Sequence, residues 1–165
     1  MMTLAGVYAR LGMGDEALET LETAVGAYVN SNATMSQTAY QGMGIGSQNF
    51  WATYNLTANC GFSAVMQDML IQSGEDTLSV LPAKPSDWKK GGVEGLGTRF
   101  GAAVDVEWDN KKVTFRIKMK KAKTIRVFVP SSVTRVKGVK KFDAATHSFV
   151  VDLAANKAVS FSFAL

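Results

Sequence analysis

Apolar positions along the first part of the chain recur at helical spacing. Leu4, Val7, Tyr8 and Leu11 fall on one face, and the run Gly12–Gly14 then interrupts the pattern. Asp15 suits the N-cap of a second helix that carries Ala17, Leu18, Leu21, Ala24, Val25 and Tyr28 inward. Its early acids Asp15, Glu16 and Glu19 also complement the positive end of the helix dipole. Residues 30–58 break the period with a long Asn-, Ser-, Thr- and Gly-rich connection that still holds Tyr40, Phe50, Trp51 and Tyr54. A third helix follows, with Phe62, Val65, Met66, Met69 and Leu70 as its core stripe.

After Gly74 the period changes from helical to two. Val104, Val106 and Trp108 alternate with Asp105 and Glu107, while Val113, Phe115, Ile117 and Met119 alternate with Lys112, Thr114, Arg116 and Lys118. Asp109–Lys111 between them predicts a tight hairpin turn. Thr124–Pro130, His147–Leu153 and Ala158–Leu165 predict further strands, each with one apolar and one polar face. The pattern predicts an α+β chain, a short N-terminal α-helical segment followed by an antiparallel β-sandwich. The expected organisation is a helical segment over 1–75, a Pro/Gly/Trp linker strand over 76–98, and the sandwich over 99–165.

Charge sharpens that division. Residues 1–75 hold Arg10 as their only base against six acids, whereas residues 76–165 hold 17 bases and eight acids. Hydrophobic content of 47% and charged content of 19% describe a globular chain rather than a disordered one. No apolar run approaches the roughly 20 residues that span a bilayer, and no membrane partner is expected. The N-terminus lacks the features of a signal peptide and reads as the middle of a helix, so the chain is expected to be a piece of a longer protein. Cys60 and His147 are the only residues of their kinds, which removes an intrachain disulfide, a structural zinc site and a Cys–His nucleophile pair. No metal and no cofactor is expected. Cys60 is expected to be a small buried residue.

The junction carries a specific signature from Met69 to Trp108. Asp68–Ser73 (DMLIQS), Val80–Pro85 (VLPAKP), Trp88, Gly91–Leu96 (GGVEGL) and Thr98–Ala102 (TRFGA) occur in an order and spacing that resembles family-95 glycoside hydrolases, the α-L-fucosidase family. There the catalytic (α/α)6 barrel ends and a C-terminal sandwich begins. The resemblance implies a parent that is an inverting hydrolase, with a Glu protonating the leaving oxygen and an Asp, helped by Asn side chains, activating water. It implies carbohydrate as the parent's substrate and leaves its compartment open between periplasmic and secreted. The Glu and the Asn residues would lie upstream of Met1.

The family's base falls in a segment I-D-G-N-F-G, which aligns without gaps on Leu56, Thr57, Ala58 and Asn59. Thr57 therefore stands at the catalytic Asp position, and a threonine hydroxyl cannot take a proton from water near neutral pH. Asn59 and Gly61 are retained, which implies that the local turn is kept. No catalytic residue is assigned. Asn59, Trp51 and Tyr54 are the candidate substrate-binding residues. Trp88 is read as a core plug between the two parts, although its face could also stack on a sugar.

Two readings of function remain at this stage. In the first, the chain is the C-terminal portion of a fucosidase-like hydrolase and is not catalytic alone. In the second, it is a non-catalytic carbohydrate-binding or scaffold module. The basic face (Lys118, Lys120, Lys121, Lys123 and Arg126, then Arg135, Lys137, Lys140 and Lys141) reads as solvated surface, and no nucleic-acid partner is expected. Asp105 and Glu107 are expected to pair with lysines of the neighbouring strand. The helices would expose apolar faces, so self-association through them is expected.

Overall fold

The computed structural model describes residues 1–29, 35 and 56–165. Three helices come first: α1 (Met2–Arg10), α2 (Gly14–Tyr28) and α3 (Leu56–Leu70). α3 passes directly into β1 (Ile71–Ser73). The other strands are β2 (Thr77–Val80), β3 (Gly91–Gly97), β4 (Ala102–Trp108), β5 (Lys112–Met119), β6 (Lys123–Phe128), β7 (Val136–Lys137), β8 (Ser148–Leu153) and β9 (Ala158–Ala164). They form two sheets, ordered β1-β2-β6-β8 and β3-β4-β5-β9-β7.

The α+β reading holds, with one difference: β2 and β6 run parallel, Leu78 opposite Val127. A parallel neighbour needs a long crossover. The chain between Val80 and Lys123 provides it, building β3, β4 and β5 of the other sheet on the way. Residues 76–98 thus contribute β2 to one sheet and β3 to the other.

Alternation decides which faces meet. Val104, Val106, Val113, Phe115 and Ile117 point inward from one sheet, and Leu78, Ile125, Val127, Phe149 and Leu153 from the other; all are buried. Phe149 crosses the gap to Phe161, with ring centroids 5.1 Å apart, and Phe161 packs on Phe115 at 5.3 Å. Each such side chain contributes about 1.5–3 kcal/mol of burial.

The helices have a smaller core of Ala5, Ala9, Ala17, Leu21, Val65 and Met69. Here α1 packs through its alanines and leaves its large apolar face exposed, as expected of the helices. Leu4, Val7 and Leu11 are 48%, 47% and 68% exposed, while Ala5 and Ala9 are fully buried. Alanines let the α1 backbone come close to α2 and α3, and spacing alone cannot distinguish a small-residue face from a large-residue one. Arg10 fixes the same contact by a two-point hydrogen bond to Asp68 of α3, at 2.9 and 3.1 Å.

Asp15 is not the N-cap of α2 either. Met13 holds that position and Gly14 opens the helix. A Cβ on Gly14 would lie 2.4 Å from the Ala83 carbonyl oxygen, so only glycine lets the helix start against this strap. Asp15 reaches across instead, its Oδ1 accepting from the Ser86 amide at 2.6 Å.

The strap from Leu81 to Trp88 joins the two cores. Leu81 lies in the sandwich core and Ala83 in the helical one. The amides of Leu81 and Ala83 donate to Leu70 O and Met69 O, the last carbonyls of α3, at 2.7 and 3.2 Å. Leu81 takes a left-handed φ of 51°, a strained value for leucine, held by this burial and bonding.

Candidate functional site

Three places bear on function: the start of α3, the helix–sandwich junction, and the outward face of the larger sheet. At the first, Leu56–Gly61 is the opening of a helix rather than a turn ahead of one. Thr57 is exposed on its first turn. Asn59 brackets the backbone of Met35, its Oδ1 accepting from the amide at 3.1 Å and its Nδ2 donating to the carbonyl at 3.2 Å. Cys60 is exposed, contrary to the buried position expected, because it lies off the α3 stripe of Phe62, Val65, Met66 and Met69 that packs on the helical core. Trp51 and Tyr54, with most of the 30–58 connection, lie outside the described residues.

At the junction, Trp88 packs against both cores, as a plug would. Its ring lies 6.2 Å from that of Trp108 at 19°, and Trp108 Nε1 donates to the Trp88 carbonyl at 2.9 Å. Lys84 Nζ donates to the carbonyls of Pro85 and Trp88. Burial, then repulsion from Lys89, lowers its pKa, and attraction from Asp15 partly offsets this. These groups tie backbone to side chain around the partly buried Trp88 ring.

The outward face of β3-β4-β5-β9-β7 is different in character. Cross-strand register lines up Asp105, Arg116 and Ser160 in one row, and Glu107, Thr114, Ser162 and Lys137 in the next. A hollow of about 780 Å³ lies over the β3–β5 end of this face, lined by Gly92, Asp105, Glu107, Thr114, Arg116 and Ser160. Asp105 anchors it. Its Oδ1 accepts from the Gly95 amide at 2.8 Å and its Oδ2 pairs with Arg116 Nη2 at 2.7 Å. The amide first, then the guanidinium, hold its carboxyl below the ordinary aspartate range. The expected cross-strand partner of Asp105 is thus an arginine rather than a lysine, and Thr114 stands opposite Glu107.

A second hollow of about 540 Å³ lies at the β7 side, lined by Lys111, Lys112, Arg135, Lys137, Ser162 and Ala164. In sequence Arg135 and Lys137 belong to a run read as solvated surface, while Lys111 and Lys112 belong to a hairpin turn and the strand after it. Their grouping depends on β7 and β5 both flanking β9, a long-range pairing that no local pattern states. Among the described residues no three His, Cys, Asp or Glu side chains are placed to hold a metal ion, and no helix is long and apolar enough to cross a membrane.

With this geometry in place, comparison with known proteins is informative. A family profile described as "Glycoside hydrolase family 95, C-terminal domain" matches residues 72–163. Over 77 residues the chain is 39% identical to alpha-L-fucosidase 2 of Arabidopsis thaliana, a stretch covering 45% of this chain and 9% of that protein. Among solved structures, a GH127 beta-L-arabinofuranosidase from Geobacillus stearothermophilus T6 aligns with a TM-score of 0.36 at 10% identity, over 64% of this chain and 18% of that one. The chain therefore spans a small part of the length of the relatives it matches.

Proposed function

The chain belongs to glycoside hydrolase family 95 through its C-terminal domain, and on that premise we propose that it is the C-terminal portion of an α-L-fucosidase-like hydrolase and performs no catalysis alone. One observation carries the second half of the proposal. Thr57, at the position where the family resemblance expects the base, is an exposed hydroxyl on a helical turn.

Other acids of the helical part are engaged elsewhere or lie open to solvent. Asp68 is held by Arg10, and Asp15 is bonded to the Ser86 amide. Glu16, Glu19 and Glu22 lie exposed along α2. The work the fold supports is mechanical: the strap and Trp88 fasten the end of a helical region to a rigid sandwich. Carbohydrate is the parent's ligand on this reading, with no cofactor, nucleic acid or membrane involved. The exposed α1 face would carry self-association of the isolated chain.

The test is incubation of the purified chain with an aryl α-L-fucoside and with 2′-fucosylated oligosaccharides. The expected result is release no faster than the enzyme-free blank. Turnover that tracks the protein through purification would overturn the non-catalytic reading.

A further inference from the structure

The two hollows on the larger sheet lie on one continuous face. Strands β4, β5, β9 and β7 are consecutive neighbours. From Glu107 to Lys137 the row crosses three interstrand steps, about 14 Å at the usual spacing. One end of that row is acidic, the other cationic, and Thr114 and Ser162 lie between them. The cationic end carries Lys111, Lys112, Arg135 and Lys137 around one hollow. Neither of the two ion pairs among the described residues includes any of these four bases. Asp109 Oδ1 accepts from the amides of Lys111 and Lys112, and its one charge, which also acts on those two lysines, leaves the group net cationic.

We infer that this face is a docking surface for an acidic glycan, seating a carboxylate-bearing sugar residue on the Lys112–Arg135–Lys137 hollow and neighbouring hydroxyls on Thr114, Ser162 and Glu107. The chemistry of the two ends selects this occupant. Four bases against the single charge of Asp109 attract an anion, and the fork of Arg135 can hold a carboxylate at two points. A regularly charged polymer such as DNA would place phosphates against Glu107 and Asp105 at the far end of the row, where like charges repel. A glycan has charge only at intervals, and its hydroxyls donate to carboxylates and to Ser and Thr oxygens. The inference rests on the proposed glycoside-hydrolase reading only for the choice of a glycan.

Electrophoresis of the full chain through gels containing a glucuronoxylan that bears uronate on only some of its sugars, a neutral xylan, a densely sulfated glycan or duplex DNA tests it. The glucuronoxylan is expected to retard the chain, and retardation should weaken as salt rises. The exposed pair Lys112→Glu with Lys137→Glu should weaken the affinity about tenfold or more. Glu107→Ala discriminates between mechanisms. It removes a negative charge, so binding by charge alone would strengthen, whereas loss of a hydroxyl acceptor weakens glycan binding several-fold. No retardation by the glucuronoxylan, equal retardation by DNA or the sulfated glycan, or stronger binding by Glu107→Ala would each overturn the inference. None of these outcomes bears on fucoside turnover, and turnover by the chain would leave this face untouched, so the two readings fail separately.

Discussion

Trp88 and Trp108 stack with ring centroids 6.2 Å apart while the Trp108 indole N–H donates to the Trp88 carbonyl at 2.9 Å. One residue belongs to the strap and the other to a central strand, so this contact is where the helical part and the sandwich become one structure. It also explains Gly91. A Cβ there would lie 2.4 Å from Trp108 Cζ2 and 2.9 Å from two more ring atoms.

Gly91→Ala is therefore expected to destabilise the chain by about 1–3 kcal/mol, the usual cost of overpacking. Trp88→Ala should cost more, about 3–5 kcal/mol, because it empties a site shared by both cores. Urea unfolding followed by tryptophan fluorescence and by far-ultraviolet circular dichroism measures both. If Trp88 joins the cores, its loss should also separate the two transitions. Coincident transitions in Trp88→Ala would show that the remaining strap contacts suffice.

Gly14→Ala tests the strap from the other side. The obstructing atoms are backbone, Ala83 O at 2.4 Å and Ala83 C at 2.8 Å, and backbone cannot rotate away as a side-chain tip can. A loss of about 1–3 kcal/mol is expected. Gly97→Ala meets nothing within 4 Å and serves as the control, with a change within about 0.5 kcal/mol. Equal effects at the two positions would mean that α2 can shift off the strap.

How far the sequence disclosed this arrangement depends on the range of the contact. β4, β5, β6 and β9 are legible because each alternates and the buried set is largely apolar, while β8 is read from its apolar run although Ser148 and Phe149 are both buried. β1, β2 and β3 are poorly legible. Two are four residues or fewer, and β3 contains Gly91, Gly92, Gly95 and Gly97, which give no alternation to read. The face of α1 misleads because large residues are normally taken as core, whereas close helix approach selects Ala5 and Ala9. Asp15 has the right chemistry for a cap, but its true partner, Ser86, is 71 residues away. The same limit hides the cationic hollow, which follows from strand order, whereas Asp105–Arg116 spans the short β4–β5 hairpin and only its base type differs from the lysine expected. Thr57 was legible only through a family likeness, and nothing in its own surroundings marks the position.

The exposed helical surface leads to a prediction about association. Leu4, Val7 and Leu11 lie open on α1, and Val25 on α2 is 40% exposed beside a hollow of about 390 Å³ lined by Leu18, Leu21, Phe62 and Met66. Apolar surface of this kind favours self-contact in water. Light scattering is expected to show a mass that rises with concentration, and Leu4→Lys with Leu11→Lys should return it to the monomer value. A concentration-independent monomer mass for the unaltered chain would rule this out.

The acid side of the stability profile follows from three aspartates. Asp105 is held low by the Gly95 amide and Arg116, Asp109 by the amides of Lys111 and Lys112, and Asp143 by the Thr146 hydroxyl and the Ala145 amide. In each case the folded state favours the ionised form, so the unfolded chain binds the proton more readily. The stabilisation is then fully present above the ordinary aspartate value of 3.8 and is lost as pH falls toward and through the lower folded-state values. Asp105→Asn isolates one share of it. The variant should be less stable than the unaltered chain near pH 7, because Arg116 loses its anion. That gap should narrow as pH falls through the lowered folded-state value and the native carboxyl is protonated as well. Urea midpoints measured across this range give the test. A gap that stays constant down to the acid limit would mean that Asp105 acts through packing and hydrogen-bond geometry alone, and that its charge adds nothing to the fold.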